Sequence, residues 1–89
     1  MSFRYIQDPG HGWVEVAVRD LLDVGLIVPQ ISDYSYYKPS SRTFYLEEDC
    51  DAPKFVEAYK RKHGKAPEFT EVYQERTFVR LLPRLGQVR

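Results

Sequence analysis

The densest group of chemically reactive side chains in this 89-residue sequence is a run of carboxylates that includes one thiol. Glu47, Glu48, Asp49 and Asp51 place four carboxylates within five residues, and Cys50 lies among them. Oxygen-rich loops bind hard cations such as Mg²⁺. This run lacks the spaced Asp/Asn and Gly pattern of a calcium loop, and strand alternation would turn Glu47 and Glu48 to opposite faces. We therefore expect no metal and no cofactor here.

A helix start explains the end of this run. The carboxylate of Asp51 is expected to cap the first turn of a helix over residues 52–63, and Gly64 is a typical residue at a helix end. Neighbouring carboxylates raise the pKa of a thiol and weaken its nucleophilicity. Cys50 is therefore expected to be a small, mostly buried filler. The first three carboxylates of the run are left as surface charges.

A histidine between two glycines, in Gly10-His11-Gly12-Trp13, is the second candidate for chemistry. Imidazole acts as a general base or a metal ligand near neutral pH, and glycines let other groups approach the backbone closely. No Ser, Cys or second His stands at a spacing typical of a catalytic group. A hairpin turn anchored to the core by Trp13 is the favoured interpretation. We expect no catalytic residue and no enzyme activity.

Aromatic residues are the third candidate, at 15% of the chain with seven tyrosines. Two aromatic runs, over residues 34–37 and 43–46, flank a Pro/Ser turn and predict a hairpin. Exposed tyrosines of this hairpin, such as Tyr34 and Tyr36, suit a protein interface, where an apolar ring with a polar tip is useful. An RNA-recognition strand would carry glycines, whereas this one ends in acid, which repels phosphate.

The remaining pattern predicts one small α+β domain over residues 1–83 and a frayed tail over 84–89. The order ββαββαβ predicts an antiparallel sheet with two helices on one face, most similar to a ferredoxin-like split β-α-β sandwich. The segment over residues 77–83 fits a strand or a helix equally well. The other predicted elements are strands at 3–6 and 12–16, a helix at 17–24, and a strand at 68–73.

Charge is balanced overall but unevenly spread. Residues 1–53 carry nine acidic and four basic residues, and residues 54–89 carry nine basic and four acidic ones. Zero net charge gives no general attraction to nucleic acid. A nucleic-acid-binding module that uses the basic half is nevertheless the alternative function. Its candidate residues are Lys60, Arg61, Lys62, Lys65, Arg76 and Arg80.

The cellular compartment follows from what the sequence contains. A single cysteine permits no intrachain disulfide, which suits a reducing compartment. The N-terminus shows no apolar signal region, and no apolar run reaches the roughly 18–20 residues that a bilayer requires. We expect a cytoplasmic protein without membrane contact.

Several segments together are similar to a known group of proteins. GHGWVEV at residues 10–16, VGLI at 24–27, ISDYSY at 31–36 and YLEEDCD at 45–51 resemble small uncharacterised proteins of phages and other mobile elements. The resemblance covers roughly residues 8–60. It implies an accessory protein in the host cytoplasm that interacts with a host factor, for example as an inhibitor of a bacterial defence system. It implies no catalytic residues.

The leading hypothesis is therefore a non-enzymatic accessory protein that binds a host protein or protein complex. Aromatic side chains supply contact area, and charges steer encounter and set specificity. The residues expected at the interface combine carboxylates, aromatic rings and the glycine-flanked histidine: Glu47, Glu48, Asp49, Tyr34, Tyr36, His11 and Trp13.

Overall fold

Five strands form one mixed sheet in a computed structural model that describes residues 2–88. The strands are β1 (Ser2–Gln7), β2 (Gly12–Ala17), β3 (Tyr36–Lys38), β4 (Thr43–Glu47) and β5 (Glu68–Tyr73). Their order across the sheet is β3-β4-β2-β1-β5. β1 pairs antiparallel with β2 and parallel with β5, and β4 pairs antiparallel with both β2 and β3.

The predicted first hairpin is confirmed, and a single carboxylate shapes its turn. Asp8 Oδ1 accepts hydrogen bonds from the backbone N–H groups of Gly10 (2.9 Å) and His11 (2.8 Å). These two bonds fold residues 8–11 back so that Ile6 pairs with Trp13. The turn therefore presents His11 at the edge where β2 begins.

Two helices pack on one face of the sheet, which we call the helix face. They are α1 (Val18–Asp23) and α2 (Ala52–His63), and a short α3 (Leu85–Val88) ends the described chain. Phe55 of α2 is fully buried, and its ring meets Phe3 edge-on at 5.0 Å between centroids. The helix predicted at residues 52–63 is confirmed. It ends at Gly64 with φ of 76°, a left-handed conformation that glycine adopts without strain.

The opposite face, which we call the strap face, is covered by the chain after β5. Residues Phe78–Leu81 form a 3-10 turn, which resolves the ambiguity of segment 77–83. Val79 is fully buried there against a second cluster that includes Ile6 and Trp13. The chain then runs along β3, where Tyr37 N donates to Pro83 O (3.0 Å). Within the expected tail, Leu85 is buried and Arg89 lies outside the described residues.

The α+β class is confirmed, but the predicted sheet arrangement is not. The sheet is mixed rather than antiparallel, because β5 runs parallel to β1. A split β-α-β sandwich would place β2 beside β5, whereas β1 lies between them. Local patterns identify strands well but do not specify which strands are neighbours. Between residues 2 and 88, no helix combines the length and the apolar character that a bilayer crossing requires.

Candidate functional site

A cleft of about 200 Å³ opens where β2 begins, where β4 ends and where the chain enters β3. Its walls combine aromatic rings, carboxylates, a histidine and two arginines, and we call it the acidic–aromatic cleft. The residues that line it are His11, Trp13, Tyr34, Tyr36, Glu47, Asp49, Cys50, Arg80 and Arg84. Six of the seven residues expected at the interface therefore line one cleft, and the seventh, Glu48, lies beside His11.

The aromatic wall is held by packing and by two cations. Trp13 is 2% exposed and meets Tyr36 edge-on at 6.0 Å between ring centroids, so its predicted anchoring role is confirmed. The guanidinium groups of Arg80 and Arg84 lie 5.2 Å and 5.7 Å from the centroids of Trp13 and Tyr36, respectively. Tyr36 was expected to be exposed, but it is buried. Tyr34, at 61% exposed, presents its ring at the mouth of the cleft.

An ion pair fixes Arg80 in this wall. Its Nη2 donates to Asp8 Oδ1 (3.1 Å) and its Nε donates to Asp8 Oδ2. Donation from Arg80 holds the pKa of Asp8 well below its usual range, and the two backbone N–H donors act in the same direction. The side chain of Asp8 is only 4% exposed. The same carboxylate thus shapes the hairpin turn and positions a cation over Trp13.

Glu47 holds the turn that follows β4. Its Oε2 accepts from the backbone N–H groups of Asp49 (2.9 Å) and Cys50 (2.7 Å). These two bonds close the turn that leads from β4 to α2. Asp49 is exposed at the rim of the cleft.

Asp51 does not cap α2 with its side chain. Its fully buried carboxylate accepts from the N–H (2.9 Å) and hydroxyl (2.6 Å) of Ser32, from the Ser35 hydroxyl, and from Lys54 Nζ (3.1 Å). Burial alone would raise the pKa of Asp51, but the donated hydrogen bonds outweigh it and lower the pKa. Asp51 ties the loop before β3 to α2, a role that depends on partners 16 and 19 residues away.

Cys50 is exposed, so the expectation of a buried filler is wrong. The turn after β4 carries its side chain outward because Glu47 captures its backbone N–H. A hydrogen bond to Glu47 and the surrounding negative charge raise the pKa of the thiol. The thiol is therefore a poor nucleophile at neutral pH, as expected from the sequence.

The two carboxylates predicted to face apart both approach the same histidine. His11 Nδ1 lies 3.9 Å from Glu47 Oε1 and 3.5 Å from Glu48 Oε1. Strand alternation holds, since Glu47 lines the acidic–aromatic cleft whereas Glu48 faces Tyr5 and α2 on the helix face. The N–H of Glu48 donates to Gly12 O (3.1 Å) and extends the pairing with β2 by one residue, so both side chains reach His11 from the end of the strand. In the described part of the chain, these three side chains form a group with metal-ligand chemistry, with ligand atoms within 4.8 Å of one another.

Tyr5 supports this group from the helix face, and nothing in the sequence pattern identified it. Its hydroxyl donates to Glu48 Oε2 (2.8 Å). Burial and then this hydrogen bond raise the pKa of Tyr5 to about 12, so the hydroxyl remains a donor at neutral pH. A Cβ on Gly12 would lie 2.3 Å from the Tyr5 hydroxyl oxygen. Glycine at this position therefore permits the close approach of Tyr5.

The basic residues of the alternative function do not all share one surface. Lys60, Arg61 and Lys62 occupy the last turn of α2, on the helix face. Arg80 lies in the acidic–aromatic cleft and is paired with Asp8. The remaining two, Lys65 and Arg76, are exposed in the loops before and after β5.

The cleft and the neighbouring group of His11, Glu47 and Glu48 suit two kinds of chemistry. One is binding of a partner at an aromatic and acidic surface, and the other is coordination of a cation. Comparisons of the chain with protein-family models, with curated proteins and with solved structures find no match.

Proposed function

We propose that this protein is a non-enzymatic binding module whose acidic–aromatic cleft receives a basic segment of a partner protein. The observation that carries the proposal is the convergence of three separated stretches of sequence. Residues 11–13, 34–36 and 47–50 contribute rings and carboxylates to the same cleft.

The cleft combines the features that protein interfaces use for affinity and for specificity. Tyr34 offers an exposed amphipathic ring at the mouth, and Tyr and Trp are frequent among residues that dominate binding energy. Asp49 is exposed beside it, and Glu47 lines the wall. Arg80 and Arg84 already cover the rings of Trp13 and Tyr36, so the open part of the cleft is its mouth. There the Asp49 carboxylate and the Tyr34 ring favour a lysine or arginine from the partner, because the charge pairs with the acid and the stem packs on the ring.

The resemblance to phage and mobile-element proteins directs the proposal to a host protein as the partner. Acting in the host cytoplasm, the module would occupy a basic surface of that protein. Inhibition of a bacterial defence system is one outcome of such blocking, since occupying a surface requires no chemistry. The packing of Trp13 against Tyr36 supports this role, because it fixes the wall of the cleft before a partner binds.

The test is affinity capture from a bacterial lysate with the tagged chain, followed by mass spectrometry. The interface variant is Tyr34→Ala/Asp49→Lys, which changes two exposed side chains and leaves the turn-forming carboxylate of Glu47 intact. The matched control is Tyr73→Ala/Glu75→Lys, because Tyr73 is 63% exposed and lies at the other end of the sheet. We expect a partner that the wild type and the control retain and that the interface variant loses.

Circular dichroism establishes that both variants fold. If the interface variant retains every partner, the cleft is not the binding surface. Partners that disappear from all samples after nuclease treatment would instead favour the nucleic-acid alternative. In that case the charge-reversal variant Lys60→Glu/Lys62→Glu should abolish binding, and binding of labelled nucleic acid should weaken steeply with salt.

A further inference from the structure

We propose that His11, Glu47 and Glu48 form a binding site for a divalent transition-metal ion such as Zn²⁺ or Mn²⁺. The three ligand atoms already lie within 4.8 Å of one another. Ligands around a tetrahedral zinc ion are separated by roughly 3.3 Å, given metal–ligand distances of about 2.0–2.2 Å. The distance of 3.5 Å between His11 Nδ1 and Glu48 Oε1 is close to that value.

Each carboxylate is oriented by a donor on its far oxygen. Backbone N–H groups hold Glu47 Oε2, and the Tyr5 hydroxyl holds Glu48 Oε2. The two remaining oxygens, both Oε1, are the ones that turn toward His11. Outer hydrogen bonds of this kind orient the ligands of metal sites and tune their affinity. The donors thus leave one oxygen of each carboxylate for the same ion.

The imidazole is also held in position while part of the site stays open. The backbone N–H of His11 donates to Asp8, and its ring lies 6.2 Å from the ring of Trp13. The side chain of His11 is 50% exposed, whereas that of Glu47 is 12% exposed. An ion bound between them would rest on a largely buried carboxylate and complete its coordination with water from the open side.

The ligand set selects the class of ion. One imidazole nitrogen with two carboxylate oxygens suits Zn²⁺, Mn²⁺ or Fe²⁺, whereas Mg²⁺ and Ca²⁺ prefer oxygen ligands throughout. Two carboxylates balance the double positive charge.

A second histidine provides an internal control. His63 Nε2 lies 3.0 Å from Asp23 Oδ2, and the Asp23 side chain is 51% exposed. This pair offers one carboxylate instead of two, and Lys62 Nζ lies 3.7 Å from its other oxygen. A cation is therefore disfavoured at His63, although both histidines lie beside acid.

The metal site does not rest on the proposed function, although Glu47 contributes to both. Metal binding is measured on the chain alone, without any partner. Partner capture repeated with EDTA separates the two. If the partner is still captured in the presence of EDTA, partner binding does not depend on the ion.

The experiment is calorimetric titration of the full chain with Zn²⁺ and with Mn²⁺ in a non-coordinating buffer, supported by NMR of the histidine ring protons. We expect one ion per chain and selective paramagnetic broadening of His11 by Mn²⁺. His11→Ala and Glu48→Gln should each weaken binding at least about tenfold, and Tyr5→Phe should weaken it by a smaller factor. His63→Ala and Cys50→Ser should leave affinity unchanged.

Three results would overturn the site. Titration without saturable binding removes it. Equal broadening of His11 and His63 shows non-specific association with surface imidazoles. Loss of Zn²⁺ binding in Cys50→Ser assigns the ion to the thiol instead. Because His11 is half exposed, its variant should fold, and circular dichroism checks this directly.

Discussion

The two faces of the sheet are covered by different means. On the helix face, α1 and α2 bury a continuous apolar cluster of aliphatic and aromatic side chains around Phe55. On the strap face, a 3-10 turn with one fully buried aliphatic residue, Val79, covers a smaller cluster and leaves polar groups along the sheet. The first face is therefore built for stability, whereas the second carries the cleft and the charges.

On the strap face, charge pairs partly replace apolar packing. The pair between Arg80 and Asp8 holds the covering segment of residues 77–83, which we call the strap, against the turn that precedes β2. Further along the sheet, Arg4 pairs with Glu15, and their side chains are 45% and 25% exposed. This difference predicts that substitutions on the two faces lower the free energy of unfolding by different amounts and respond differently to pH and salt.

The largest expected effect is on the helix face. Phe55→Ala removes a fully buried ring that contacts Phe3 and Tyr59, and should lower the free energy of unfolding by about 3–5 kcal/mol. Urea denaturation followed by circular dichroism measures this loss. The exposed position Leu22 on α1 is the control, since Leu22→Ala should cost less than about 0.5 kcal/mol. Equal losses at both positions would contradict a core centred on Phe55.

A smaller effect is expected where charge holds the strap. Asp8→Asn removes the anion that pairs with Arg80 and should cost about 1.5–3 kcal/mol at neutral pH. The pKa of Asp8 is lower in the folded chain than in the unfolded chain, where it is about 3.9. The pair therefore stabilises the fold above about pH 4, and this stability is lost as the pH falls further.

Urea midpoints at pH 7 and at pH 3 measure this contribution. The wild type should lose more stability between the two values than Asp8→Asn does. The pKa of Asp51 is also lowered, so Asp51 adds to the loss of stability at low pH. This contribution is the same in the wild type and in Asp8→Asn, so the difference between the two proteins reports on Asp8. Glu75→Gln, at an exposed position, is the control and should keep the wild-type pH dependence. Parallel pH profiles for all three proteins would show that the Asp8 pair adds no stability.

The sequence predicted the elements of this fold because local chemistry determines them. The helix at 52–63 and the strand at 68–73 match the structure, since the apolar spacing lies within each segment and Gly64 ends the helix, although the cap predicted from Asp51 is not formed. The place of β1 between β2 and β5 was missed, because neighbours in a sheet depend on contacts between distant residues. The same holds for segment 77–83, whose 3-10 turn is stabilised by burial of Val79.

The candidate site was predicted in part for the same reason. Residue types alone indicated rings and carboxylates, and the fold brings them together. The capping role predicted for Asp51 was wrong because its partners, Ser32 and Ser35, are remote in sequence. The contacts of Glu48 with Tyr5 and His11 were not predicted for the same reason. The sequence alone does not determine the role of a carboxylate that follows a strand, since it can cap a helix, close a turn or reach across the sheet.

The smallest expected effect is at the open end of the strap face. Arg4 donates twice to Glu15, at 2.9 Å for each bond, and Tyr45 donates to the same carboxylate at 3.0 Å. Donation from Arg4 lowers the pKa of Glu15, but the Arg4 side chain is 45% exposed, and solvent screens the pair. Arg4→Ala should therefore lower the free energy of unfolding by less than about 1 kcal/mol. The loss should shrink further when the salt concentration rises from about 0.05 to about 0.5 M, where the screening length falls to about 4 Å.

Urea denaturation of the wild type and Arg4→Ala at both salt concentrations measures this difference. Arg80→Ala provides the comparison within the same face, because its partner Asp8 is buried and its loss should depend less on salt. A large, salt-independent loss in Arg4→Ala would place Arg4 among the residues that hold the fold. It would also show that charge pairs along the whole strap face, and not only under the strap, replace the missing apolar cover.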